Sequence, residues 1–87
     1  MFGVFRRKPS SPVGRTVQLY DTRGCMAHIH NDRGVGAIVE YDPAKWVYGG
    51  GRPEPYVKIR DPGGVERWIV WRYILRVGRV LVCYDWD

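Results

Sequence analysis

The chain has little that would let it span a membrane, build a long helix or run covalent chemistry. No stretch reaches the ~18 consecutive apolar residues of a spanning helix, so no membrane partner is expected. No long segment repeats its apolar residues at a period of 3.6, so helix is expected to be a minor component. Cysteine is sparse, with only Cys25 and Cys83 present. One disulfide between them is conceivable, but Met1–Phe5 is far too short for the apolar core of a secretory signal. Reduced, structural thiols in a cytoplasmic protein are therefore the expectation.

Catalytic constellations are missing as well. Ser10, Ser11, Thr16 and Thr22 stand beside no histidine, and Glu40, Glu54 and Glu66 are scattered singly. The glycines at 34–36 and 49–51 lack the strand–glycine–helix context of a phosphate loop. These absences argue against an enzyme, and no cofactor is expected. A metal centre has one candidate, Cys25, His28, His30 and Asp32, in which His28 and His30 would share a face of an extended segment. No second Cys/His cluster completes four ligands, so hydrogen-bonded or solvated loop histidines are expected instead of a metal site.

What is present points to a small β domain. The 87 residues suit one domain with a small core. Eleven Gly and six Pro favour short strands and turns, while four Trp, six Tyr and two Phe supply large buried rings. The firmest stretch is Tyr56–Val77. Val57 and Ile59 alternate with Lys58 and Arg60, as in a strand with one buried face. Asp61-Pro62-Gly63-Gly64 is hairpin-turn chemistry, and Val65–Trp71 resumes as a strand.

Earlier elements are read the same way. Residues 1–14, with Arg6, Arg7 and Lys8 ahead of a Pro/Ser stretch, read as a flexible basic arm. Residues 15–87 read as the folded domain. Arg15–Tyr20 is a first strand and Gly34–Tyr41 a second, its glycines allowing a bulge or bend. Pro43–Trp46 is expected to form one helical turn, and Val47–Pro55 a mobile loop. Arg72–Leu75 turns into a last strand, or Tyr73–Val77 and Val80–Tyr84 form a hairpin about Gly78-Arg79. The expected core is Val17, Leu19, Val39, Val57, Ile59, Ile69 and Ile74, with Trp68 favoured over Arg67 for the inner face.

This order of strands and loops, carried by Thr16–Tyr20, Gly34–Tyr41, Tyr56–Arg60 and Val65–Val77, resembles SH3-like barrels. Retroviral integrase C-terminal domains, KOW and Tudor modules and type II dihydrofolate reductases look similar at this level. The resemblance implies an all-β barrel of five to six antiparallel strands. A reductase is the remote alternative: those enzymes carry Val-Gln-Ile-Tyr after the hairpin Pro-Gly, where this chain has Val65-Glu66-Arg67-Trp68. A Tudor-like cage for a methylated lysine would need rings such as Trp46, Tyr48, Trp68 and Trp71 to converge.

The net charge of +5 and the excess of Arg over Lys suit an anionic partner, although an Arg bias also follows from a GC-rich genome. The expected function is a non-catalytic binding module. Its expected partner is nucleic acid, DNA or RNA, engaged by Arg6, Arg7, Lys8, Lys58, Arg60, Arg67, Arg72 and Arg76. The alternative is a protein-interaction module or inhibitor, such as a phage- or plasmid-type accessory protein. It would meet an acidic protein surface or another partner through Trp46, Tyr48 and Arg52. An exposed sheet edge would also permit a homo-oligomer.

Overall fold

The computed structural model describes residues 11–21, 30–47 and 51–86. Six strands follow in order: β1 (Thr16–Asp21), β2 (Asn31–Lys45), β3 (Glu54–Arg60), β4 (Glu66–Val70), β5 (Leu75–Val77) and β6 (Val80–Cys83). A 3-10 turn, Trp71–Tyr73, separates β4 from β5 and is the only helical element among the described residues. The fold is all-β.

The strands form one sheet in the order β4-β3-β2-β1-β6-β5. Strands β1 to β4 make an antiparallel meander, and β5 and β6 make a hairpin. β6 lies parallel to β1, which corrects the expectation of purely antiparallel pairing. Hydrogen bonds do not close the sheet into the expected barrel, because β4 and β5 stand at opposite edges. The chain nevertheless passes between those edges through Trp71–Ile74 alone. Five residue steps reach at most ~17 Å, whereas a flat sheet of this size would be roughly 24 Å wide. The sheet must therefore coil.

Its concave side carries the core. Val17 and Leu19 of β1, Ile38 of β2, Val57 and Ile59 of β3, and Leu81 and Cys83 of β6 are buried together, with Ile74 and Trp86. Tyr41, Ile69 and Trp71 pack against this cluster. Each fully buried aliphatic side chain contributes about 1.5–3 kcal/mol. The expected core thus holds at Val17, Leu19, Val57, Ile59 and Ile74, with Ile69 at its margin.

Val39 is the exception. Ile38 pairs with Ile59 and Glu40 with Lys58, so Val39 is an extra residue on β2. That bulge puts Ile38 on the core side and leaves Val39 half-buried. A second irregularity falls between Asp42 and Lys45. Pro43 sits there without a ladder N–H to give, and Asp42 Oδ1 accepts the next amide, from Ala44, at 3.0 Å. The strand therefore runs on to Lys45, where a helical turn from Pro43 was expected.

Gly36 lies where neighbouring backbone and core side chains approach closely. An added Cβ would lie 2.8 Å from Ile59 Cγ2 and 2.9 Å from both Arg60 O and Leu19 Cδ1. The β3–β4 turn is organised by Asp61, whose Oδ1 accepts from Gly63 N and Val65 N at 2.9 Å each. Of its two glycines, Gly64 takes a positive φ of 90°. The folded domain also begins earlier than residue 15. Pro12 is buried and Gly14 N donates to Ile38 O at 2.9 Å, while residues 1–10 lie outside the described segments.

Candidate nucleic-acid interface

The register of the sheet decides which cations share a face. Pairing sets Arg60 beside Glu66 and Lys58 beside both Glu40 and Trp68, all on the convex side. There each expected phosphate contact already has a carboxylate. Lys58 Nζ lies 3.0 Å from Glu40 and 3.9 Å from Glu66, and Arg60 Nη2 lies 2.6 Å from Glu66. Arg72 is paired with Glu54. Exposed ion pairs of this kind add little stability, but they cancel the local field that would draw a phosphate.

The other expected contacts are dispersed. Ile59 pairs with Arg67, which places Arg67 on the concave side, its guanidinium 5.2 Å from the Trp86 ring. Trp68, expected inside, is instead on the convex face beneath Lys45 at 4.4 Å and Lys58 at 5.2 Å. The alternation that buries Ile69 forces this exchange. Arg76 donates from Nε to Gly78 O at 3.3 Å on the edge hairpin. Arg6, Arg7 and Lys8 lie outside the described residues.

Among the described residues, Trp46, Trp68 and Trp71, expected to form a partner site or cage, make no ring contact with one another. Trp46 is 64% exposed, Trp71 packs on the core and Trp68 lies under two lysines. Arg52 is exposed, and Tyr48 lies outside the described residues. The metal candidates fare similarly. His30 joins two tyrosines, and Asp32 Oδ1 accepts from Gln18 Nε2 and Gly34 N at 2.8 Å each. Cys25 and His28 lie outside the described residues, among which no group of three potential ligands gathers.

A different site stands out on the convex side of β1. A groove of about 380 Å³ is lined by Arg15, Thr16, Gln18, Val35, Arg79 and Val80, among others. The parallel pairing of β1 with β6 creates it, because that pairing brings Arg15 and Arg79 to the same end of the sheet. Among the described residues neither guanidinium has a carboxylate within ion-pair distance. Gln18 is one of the lining residues. Its amide nitrogen is committed to Asp32 Oδ1 at 2.8 Å and Gly34 O at 3.1 Å, which fixes the side chain and leaves its carbonyl as an acceptor. Two unpaired guanidiniums, a fixed amide and the apolar flanks of Val35 and Val80 suit an anion with an attached organic group.

Neither Arg15 nor Arg79 was among the expected phosphate contacts. The signal that mattered was the lack of an acidic neighbour in space, which depends on a parallel pairing that the residues do not announce. No family model, curated protein or solved structure matches the chain. Among the described residues, no helix is long and apolar enough to cross a membrane.

Proposed function

We propose that this protein is a non-catalytic binding module for nucleic acid, built on an SH3-like coiled sheet. The meander, tight turn and returning last strand support the SH3-like reading. One observation carries the function: Arg15 and Arg79, unpaired among the described residues, line the same groove. Arg6, Arg7 and Lys8 precede that end of β1 in the sequence and add positive charge. The groups first expected to bind, Lys58, Arg60 and Arg72, serve instead as a charge-balanced face.

The test is fluorescence-anisotropy titration of short single- and double-stranded DNA and RNA across a salt series. Phosphate binding gives a steep linear fall of log affinity with log salt. Absence of binding at low salt retires this reading.

A protein partner is the second reading, and a specific observation favours it. Leu75, Val77 and Val80 of the edge hairpin and Val35 of β2 are 46–55% exposed on the convex side. Such a partner would bind with little dependence on salt.

A further inference from the structure

Three rings meet at the far end of the same convex strip. Tyr20 and Tyr84 stack with centroids 5.4 Å apart and planes 15° apart. His30 leans on both, 4.9 Å from Tyr84 and 6.1 Å from Tyr20. The pairing of β1 with β6 explains the meeting, since it carries β1 and β6 side by side to Leu19 and Cys83, the residues just before the two tyrosines. The tyrosines are half-buried and His30 is exposed, so a solvent-facing ring is backed by two fixed ones.

We propose that Tyr20, His30 and Tyr84 form a stacking site for a base of single-stranded nucleic acid whose phosphates lie toward Arg15 and Arg79. This deepens the nucleic-acid reading above and rests on it. Arg15 immediately precedes β1 and Tyr20 lies five residues further on, roughly 17 Å of extended chain, a span suited to a few nucleotides. Gln18 lies between them in the chain and shares the convex face of β1 with Tyr20, its carbonyl able to accept from a base. The ring end is unsuited to phosphate itself, because Asp32 is the cross-strand partner of Tyr20 and Asp85 follows Tyr84. Charge therefore orients the strand: backbone at the arginine end, a base on the rings. Duplex DNA keeps its bases stacked inside and cannot present one to this site without opening.

The test compares a labelled 12-nucleotide single strand with the same backbone made abasic. The intact strand is expected to bind roughly 5- to 100-fold more tightly, the usual effect of one base–aromatic stack. His30→Ala, at an exposed position, is expected to weaken binding of the intact strand several-fold. It should leave the abasic affinity and the salt slope unchanged. Equal affinity for intact and abasic strands overturns the stacking site while leaving phosphate binding in place. So does an unaltered intact-strand affinity in both His30→Ala and Tyr84→Ala. Failure of both strands to bind at low salt overturns the stacking site and the nucleic-acid reading together.

Discussion

The indole Nε1 of Trp86 donates a hydrogen bond to Asp61 Oδ2 at 3.1 Å, joining the end of the chain to the β3–β4 turn. The same carboxylate holds that turn through its other oxygen, which accepts from Gly63 N and Val65 N. Trp86 is 1% exposed and its backbone N–H donates to Tyr20 O at 2.9 Å. One acidic side chain thus shapes a hairpin and anchors the largest buried ring.

Truncation of that ring should be severe. Trp86→Ala is expected to destabilise the domain by about 3–5 kcal/mol, the usual cost of deleting a buried aromatic. Trp86→Phe keeps most of the burial but loses the N–H donor, so a smaller loss is expected. Urea denaturation of the three proteins checks the order; equal stability of wild type and Trp86→Ala would contradict the anchoring role.

Asp61 should also make stability depend on pH. The amide of Val65 holds its carboxyl below the ordinary value of 3.8, with smaller help from Trp86, Gly63 and the charge of Arg67, against some desolvation. A lowered folded-state pKa stabilises the fold above the unfolded value and is lost as pH falls below about 3.8 toward the folded pKa. Asp61→Asn is therefore expected to be less stable than wild type at neutral pH, with the difference shrinking on acidification. Thermal midpoints measured from pH 7 to pH 2 should converge, and a constant gap would contradict the assignment.

Gly36 gives a third test. A methyl group there would meet backbone as well as two core side chains at under 3 Å. Gly36→Ala is expected to cost about 1–3 kcal/mol through overpacking. Gly51→Ala, where nothing lies within 4 Å, is the control. Equal denaturation midpoints for the two variants would show that the close approach is not limiting.

Much of the fold was legible because local chemistry agreed with tertiary structure. The alternation in Val57–Arg60 and the Asp61–Gly64 turn fixed a strand and its hairpin from neighbours alone. Val39 misled because a bulge shifts the phase of alternation in a way that composition does not mark. Trp68 misled because its hydrophobicity outweighed the parity set by Ile69, and the parity won. Trp86 was absent from the expected core because its partner Asp61 is far away in sequence. The pairing of the expected binding face was hidden for the same reason: Lys58 and Arg60 are cations in the sequence, and only the register reveals Glu40 and Glu66 beside them.

The central claim is that Arg15 and Arg79, unpaired among the described residues at one end of β1 and β6, and not the balanced face of β3 and β4, meet a phosphate backbone. The most direct measurement is the log–log salt slope for a labelled single strand with wild type, with Arg15→Gln/Arg79→Gln and with Lys58→Gln/Arg60→Gln. Each lost phosphate contact should flatten the slope by about 0.7, so the first pair is expected to flatten it by about 1.4 and weaken binding. The second pair is expected to leave the slope close to that of wild type. A slope unchanged by the first pair, or flattened equally by the second, would contradict the account.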